Sequence, residues 1–314
     1  MSIRKSSNIN LYIYPNARPH IHDSYKHYYN LVPLSEDGIR THFNIVTNPD
    51  SANYLYMGQW GDTTPLNDID PNNYRFLHKW PERHIVDIEG DWLGREYPKE
   101  ISESIVTING APSFLENIYK NIFVRPTFST LFVNAAKHRN ESFAENVSRR
   151  FGFIGFPDPY GLRVRLGILL SKTNINHECV LTNHWNGPSE TGGAEHQAFE
   201  ELMKECTFAL CPRGCGHDSA RFFEACFFQR IPIVIGDNIL FGQLDGIDLS
   251  FCYRISQYIS DAEIIEKLVQ ISETLSDEEI CHKQIDARKY FDCHVRKYIN
   301  NPTKYFLEWL SAKV

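Results

Sequence analysis

Several features that mark secreted and membrane proteins are scarce in this sequence. All eight cysteines lie at or after Cys179, so the first half of the chain has none. A secreted disulfide framework is usually smaller and denser in cysteine, and we therefore expect reduced, partly buried thiols in a cytoplasmic protein. No apolar run approaches the ~18 residues of a membrane-spanning helix. The apolar run at residues 11–14 is also too short for a signal peptide.

Positive charge is in short supply as well. The 314 residues include 32 Lys and Arg against 39 Asp and Glu, which gives a formal net charge of −7. This balance argues against non-specific binding of nucleic acid, whose phosphates attract basic surfaces. Internal repeats and low-complexity segments are absent too. The 42% hydrophobic content is ample for a buried core, and the length suits one large or two medium-sized domains.

A recognisable metal site is also missing from the sequence. Cys206, Cys211, Cys215 and His217 lie close together along the chain. Their spacing matches no common pair of zinc ligands, and Cys211 lies within an apolar run. We therefore predict that the protein holds no metal ion.

The most informative stretch of the chain runs from residue 207 to residue 237. Residues 207–211 and 231–235 are short apolar runs, as expected of parallel strands with both faces covered. About twenty residues separate them, which is enough for a helical crossover and too many for a hairpin. The stretch therefore predicts a strand, a glycine-containing turn, a helix and a second strand.

The turn of this unit has the composition of a phosphate site. Gly214 and Gly216 allow backbone N–H groups to approach a ligand closely. Asp218 or Ser219 can cap the following helix. The free N–H groups of the helix N-terminus then face the turn with a partial positive charge, which attracts anions. Arg213 stands directly beside this turn.

The predicted helix also carries a polar stripe on an otherwise apolar surface. His217, Arg221 and Glu224 are spaced along one face. One interpretation is an internal Arg221–Glu224 ion pair that only anchors a buried helix. The adjacent glycine turn and Arg213 favour another interpretation, in which a diphosphate lies on the turn and a sugar hydroxyl lies further along the stripe.

The same residues resemble the donor-binding segment of exostosin-type glycosyltransferases. The matching positions are Cys211, Pro212, Arg213, Gly214, Gly216, Asp218, Ser219, Arg221, Phe222, Glu224 and Ala225, followed by residues 231–235. The match is close over this one short window. It departs from the family at Phe227, Phe228, Gln229 and Arg230, where the family usually has small residues.

The resemblance implies an α/β, GT-B-like fold in which two Rossmann-like domains face a central cleft. It implies a nucleotide-sugar donor, with a UDP-sugar expected, a hydroxyl of a glycan as acceptor, inversion at the anomeric carbon, and no required cofactor. By the resemblance, Arg213 and residues 214–219, including His217, meet the donor phosphates, and Glu224 meets the nucleotide ribose. Arg213 would also stabilise the departing diphosphate.

Domain boundaries are expected near a change in composition at residues 135–152, which are polar and basic. We predict an N-terminal, acceptor-side α/β domain over residues 1–148 and a donor-binding, Rossmann-like domain over 149–290. A helical tail over 291–314 could pack back on the first domain. The first half alternates short strands with weak helical signals, of which residues 113–120 are the clearest.

An inverting transferase needs a general base for the acceptor hydroxyl. Predicted strands of the first half end at residues 58–62 and 87–92, both of which contain acids. Our first candidate is Asp91, followed by Glu89 and then Asp62. Each of these carboxylates could instead bond to the backbone of its own turn.

Arg163 is a further candidate for the donor phosphate. It lies near the start of a helix predicted over residues 162–170, where a cation opposes the helix dipole. A bound anion would offset that cost, although a solvated arginine is the simpler interpretation.

Other functions fit parts of the pattern. Gly214, Gly216 and Ser219 approximate the fingerprint of an NAD(P)-dependent oxidoreductase, and Asp237 ends the next strand where a ribose-binding acid belongs. The third glycine is missing, however, and Arg213 and Glu224 would have no role. A fucosyltransferase-like GT-B enzyme that uses GDP-fucose and a non-catalytic sugar- or nucleotide-binding module are further alternatives.

Overall fold

The computed structural model folds into two compact units. The first is formed mainly by Met1–Pro126 and Lys297–Val314, and the second mainly by Thr127–Ile239 and Leu244–Arg296. The structure describes residues 9–15, 17, 34–60, 74–88, 99–109, 115, 117–126, 128, 130–183, 194–214, 219–237 and 248–313.

The first unit is built on a parallel sheet of six strands. Its first elements are β1 (Asn10–Ile13), α1 (Glu36–His42), β2 (Asn44–Val46), β3 (Tyr54–Trp60), β4 (His84–Ile88), β5 (Ile105–Asn109) and β6 (Asn121–Arg125). Short 3-10 turns lie at Pro49–Ser51, Pro81–Arg83 and Lys99–Ile101. The strand order is β2-β1-β3-β4-β5-β6, and every neighbouring pair is parallel.

The second unit contains a parallel sheet of five strands. Its elements are α2 (Thr130–His138), β7 (Phe151–Gly155), α3 (Leu162–Leu170), β8 (His177–Leu181), α4 (Ala194–Glu205), β9 (Phe208–Pro212), α5 (Ala220–Phe227), β10 (Ile231–Ile235), β11 (Tyr253–Ile255), α6 (Asp261–Thr274) and α7 (Asp277–Tyr290). The order is β11-β10-β9-β7-β8. Strands β7, β9 and β10 are buried along their whole length because helices cover both faces.

The chain ends in helices that belong to the first unit. A π-helical turn, Phe291–Val295, leads into α8 (Arg296–Asn300) and α9 (Pro302–Lys313). The ring of Phe123 on β6 packs edge-on against Phe306 and Trp309 of α9, with centroids 5.2 Å away in both cases. These aromatic contacts fix the end of the chain on the first sheet.

Both sheets have a defined switch in strand order. In the second sheet the chain first runs from β7 outward to β8, and then crosses to the other side of β7 to form β9, β10 and β11. Parallel strands end at the same edge, so the residues after β7 and after β9 meet at this point. Ligands of open α/β sheets bind at such switch points, beyond the carboxyl ends of the strands.

The α/β class with two parallel sheets is confirmed. Helix α1, which precedes β2, was not predicted from the sequence. The Ser35 side chain caps α1 by accepting a hydrogen bond from the N–H of Gly38. The main segment of the first unit ends at Pro126, and Phe132 of α2 packs on Phe227 within the second unit.

The bulky segment that departs from the exostosin pattern fills the core of the second unit. The rings of Phe227 and Phe228 both contact Phe143, with centroids 5.6 and 5.0 Å away. The buried guanidinium of Arg230 donates to the carbonyls of Met203, Lys204 and Ala144. Arg230 therefore caps the last turn of α4, whose carbonyls would otherwise lack partners.

No helix in the described part of the chain is long and apolar enough to cross a membrane.

Candidate functional site

Arg213 lies at the switch point of the second sheet, directly after β9. Its backbone N–H donates to the carbonyl of Ile235 at the end of β10 (3.0 Å). The residue is only 7% exposed. Its Nε and Nη2 atoms are buried and make no hydrogen bond within the described part of the structure. Burying unpaired donors of a charged group is costly, so these atoms call for an explanation.

One aromatic ring contacts the Arg213 guanidinium. Tyr160, in the turn that follows β7, lies with its ring centroid 4.6 Å from Cζ of Arg213. The Tyr160 residue is 52% exposed. The two residues come from the neighbouring strands β7 and β9, and therefore meet where the strand order switches.

Ser219 stands at the other end of the loop that begins with Gly214. It is the N-cap residue of α5, with an extended backbone, but its side chain makes no capping hydrogen bond. The Ser219 Oγ atom is buried and unpaired within the described residues. Arg213 and Ser219 thus present unpaired polar atoms on both sides of one short loop, at a helix N-terminus that favours anions. The predicted phosphate contacts of Gly216, His217 and Asp218 lie outside the described residues.

Arg221 and Glu224 are brought together in an ion pair. Arg221 Nη1 contacts Glu224 Oε2, and Arg221 Nε donates to the carbonyl of Ile154 on β7 (2.9 Å). Glu224 is only 2% exposed. Arg221 therefore ties the first turn of α5 to β7, which is the anchoring role considered from the sequence. The ribose contact of Glu224 stays a prediction.

The arginine at the start of α3 has an internal anion beside it. The carboxylate of Asp158 accepts hydrogen bonds from the backbone N–H groups of Tyr160, Leu162 and Arg163, at 3.0, 3.2 and 2.7 Å. Arg163 Nη1 donates to the carbonyl of Phe156 (2.8 Å). Asp158 thus places a negative charge at the helix N-terminus and offsets the cost of Arg163 there. No bound anion is needed to explain this position.

The acidic end of β4 in the first unit holds a buried polar network. Asp87 Oδ1 lies 3.1 Å from Arg125 Nη2, and both side chains are at most 3% exposed. Thr107 Oγ1 donates to the same carboxylate oxygen, and Arg125 Nη2 donates to the carbonyl of Ile88 (2.9 Å). The Asp87 carboxylate is therefore used for contacts inside the first unit.

The candidate bases themselves, Asp91, Glu89 and Asp62, lie outside the described residues. Sequence reasoning missed Tyr160, Asp158 and Arg125. Asp158 had a local signal, because an aspartate just before a predicted helix is a typical cap. Tyr160 and Arg125 meet their partners only through strand pairing, which leaves no local signal.

The carboxylate proposed to bind ribose in a dinucleotide-dependent enzyme is otherwise engaged. Asp237 Oδ2 accepts hydrogen bonds from Ser256 Oγ and from the N–H of Gln257, both at 2.9 Å. Asp237 therefore fixes the segment after β11. This use explains the acid without a ribose.

Within the described residues, no group of three or more His, Cys, Asp or Glu side chains is placed to hold a metal ion. The described cysteines are free thiols. Burial raises the pKa of Cys206 to about 12, and it raises the pKa of Cys211 and Cys226 well above the ordinary value. These thiols stay protonated at neutral pH, which makes them poor nucleophiles and poor metal ligands.

The chain is similar to two plant proteins with glycosyltransferase names. It is 32% identical over 103 residues to a probable glucuronosyltransferase of Oryza sativa subsp. japonica, and 30% identical over 108 residues to probable glucuronosyltransferase 47 A of Physcomitrium patens. The matches cover 32% and 33% of this chain and 23% of each relative. The chain thus spans less than a quarter of the length of these relatives, and the likeness supports a relationship to glycosyltransferases.

No family model matches the chain. Among solved structures, the crystal structure of TarM is similar over 76% of this chain and 56% of its own length, with 11% sequence identity and a TM-score of 0.39.

Proposed function

We propose that this protein is an inverting glycosyltransferase that takes a sugar from a nucleoside diphosphate sugar, with UDP as the expected nucleotide, and transfers it to a hydroxyl of a glycan. One observation carries the proposal. Arg213 holds two buried donors that have no partner among the described residues, beside a helix N-terminus and at the switch point of a parallel sheet. A diphosphate would satisfy those donors and neutralise the charge.

The chemistry follows from where charge develops in the reaction. As the bond from the sugar to the diphosphate breaks, negative charge builds on the leaving phosphate oxygen. Arg213, Ser219 Oγ and the N-terminal amides of α5 are preorganised to stabilise that charge. Hydrogen bonds to charged groups contribute roughly 1.5–3 kcal/mol each. No metal ion is required for this stabilisation, and the reaction would proceed by single displacement.

The acceptor hydroxyl must lose its proton as it attacks. We propose Asp91 as the general base, with Glu89 and then Asp62 as the alternatives, because an acidic segment directly follows β4. The Arg125 hydrogen bond to the carbonyl of Ile88 fixes the backbone where that segment begins.

Glu224 would accept a hydrogen bond from the ribose of the nucleotide, as the exostosin resemblance implies. Its neighbour Arg221 is held by β7 and keeps α5 in place. We give Arg163 only a secondary role towards the phosphates, since Asp158 and Phe156 already engage it.

The names of the two plant relatives point to a glucuronosyl group, so UDP-glucuronate heads the donors to be tested. GDP-fucose tests the fucosyltransferase alternative, and NAD(P) tests the oxidoreductase alternative. The Asp237 carboxylate already accepts two hydrogen bonds, which supports the glycosyltransferase hypothesis over the oxidoreductase hypothesis. We place the reaction in the cytoplasm, because the free cysteines suit a reducing compartment.

The test is a thermal-shift screen with UDP-sugars, GDP-sugars, NAD and NADP, followed by transfer assays with the donor that binds. A ligand held only by the folded state raises the melting temperature. We expect a UDP-sugar to raise it for the wild type and for Lys172→Ala, which removes an exposed positive charge from the same unit. Arg213→Ala should show no shift and almost no turnover. Normal turnover of Arg213→Ala, or a shift with NAD(P) alone, would reject the proposal.

A further inference from the structure

Arg213 and Arg230 are buried and Arg221 is partly buried, and these three arginines of the second unit differ in what holds them. Arg230 donates to three carbonyl groups, and Arg221 donates to a carbonyl and to the carboxylate of Glu224. Arg213 is different. Within the described residues, the ring of Tyr160 makes a cation–π contact with its guanidinium, and Nε and Nη2 make no hydrogen bond.

This difference has a chemical consequence. A carboxylate or carbonyl partner uses up N–H donors, and a carboxylate also neutralises the charge. The face of an aromatic ring attracts the cation through its quadrupole and takes no donor. A guanidinium held in this way keeps its full charge and its in-plane N–H groups for a ligand.

Hydrogen bonds and a glycine turn fix the backbone that carries this ring. The N–H of Tyr160 donates to Asp158 Oδ2, and the same carboxylate caps the first turn of α3. Gly161 follows with φ of +74°, a left-handed conformation that glycine adopts without strain. The turn therefore projects Tyr160 from the end of β7 towards the end of β9. More than half of the Tyr160 surface stays exposed, so filling the core does not account for this aromatic residue.

We propose that Tyr160 is a positioning residue, which holds the Arg213 guanidinium by a cation–π contact so that its unpaired N–H groups are available to a diphosphate. This inference rests on the proposed function, because it concerns the same anion site. It goes further by adding a residue from a different strand, outside the segment that resembles exostosin-type enzymes. Tyr160 acts through Arg213, and its hydroxyl has no part in the role.

The experiment measures binding of UDP and of inorganic pyrophosphate by calorimetry to the full chain. The variants are Tyr160→Phe, Tyr160→Trp and Tyr160→Leu. Tyr258→Ala is the control, because Tyr258 is an 80% exposed tyrosine beyond the end of β11 in the same sheet. Melting temperatures confirm that each variant is folded.

We expect Tyr160→Phe and Tyr160→Trp to keep wild-type affinity for UDP and pyrophosphate. Tyr160→Leu should lower both affinities by about tenfold, the order of a partly desolvated cation–π contact. The control should bind normally. Leucine is as apolar as phenylalanine, so if Tyr160 only packed against its neighbours, Tyr160→Leu and Tyr160→Phe would bind the ligands equally well.

Two failures are distinguishable. If the wild type and Tyr160→Leu bind both ligands equally well, or if Tyr160→Phe binds as weakly as Tyr160→Leu, the role of Tyr160 is wrong while the proposed function stands. If the wild type binds neither ligand, both the proposed function and the role of Tyr160 are wrong.

Discussion

Arg125 Nη2 lies 3.1 Å from Asp87 Oδ1, and this ion pair is buried between the ends of β6 and β4. Thr107 of the neighbouring strand β5 donates a hydrogen bond from its hydroxyl to the same Asp87 oxygen. The pair therefore ties three neighbouring strands together at the carboxyl edge of the first sheet, directly before the acidic segment that contains our candidate bases.

Breaking this pair should be costly. Arg125→Met leaves the carboxylate of Asp87 buried without its cation, and we expect the free energy of unfolding to fall by about 3–5 kcal/mol. Lys120→Met is the matched control, because it removes one partner of the exposed pair with Glu103. Exposed pairs contribute about 0–1 kcal/mol. Urea unfolding of both variants measures the difference, and equal effects would show that Asp87 is not held as the structure indicates.

Features with a local signal in the sequence could be predicted, whereas contacts between distant segments could not. The buried strands β4, β9 and β10 were predicted because continuous apolar runs are a local signal. Arg213 was chosen as a candidate because the residues beside it have the composition of a phosphate-binding turn. Its contact with Tyr160 was not predicted, since the two residues meet only through the pairing of β7 with β9.

Two local signals were missed. Helix α1 has the capping Ser35 and acidic residues in its first turn, but its short length gives little periodicity. For Arg163 at a helix start we considered a bound anion or solvation, and neither interpretation included Asp158, five positions earlier in the chain. In both cases the deciding group was a short capping side chain.

A buried histidine should make stability depend on pH. His84 lies inside the first unit, where its Nε2 is 2.8 Å from the hydroxyl of Tyr14 and its Nδ1 is 2.7 Å from the carbonyl of Trp80. Burial lowers the pKa of His84 from 6.5 to about 4. The unfolded chain therefore binds the proton more tightly, and the stabilisation is present above pH 6.5 and lost as the pH falls towards 4.

Between pH 7 and pH 5 this shift accounts for about 2 kcal/mol of the change in the free energy of unfolding, and we expect His84→Gln to remove that contribution. His138→Gln is the control, since His138 is exposed. Urea unfolding of each variant at pH 7 and pH 5 tests this. An unchanged slope in His84→Gln would mean that the pKa of His84 is the same in the folded and unfolded states.

Glu224 offers a way to separate the ribose from the phosphates. If Glu224 accepts a hydrogen bond from the ribose, Glu224→Gln should weaken UDP binding by about tenfold, the value of a hydrogen bond to a charged group. Binding of inorganic pyrophosphate should not change, because it has no ribose. Arg213→Ala should weaken both.

The control for Glu224→Gln is Glu178→Gln, which breaks an ion pair with Arg150 at the amino end of β8, the opposite edge of the sheet. Both ligands are titrated well below the melting temperature of each variant. Equal loss of UDP and pyrophosphate in Glu224→Gln would assign Glu224 to helix anchoring alone.

The most direct test of the central claim is a crystal structure of the chain with UDP. We predict that the phosphate oxygens lie within hydrogen-bonding distance of Arg213 Nε or Nη2 and of Ser219 Oγ, which are buried and have no partner in the part of the chain that the structure describes. A diphosphate bound elsewhere, with these atoms still unpaired, would contradict the account.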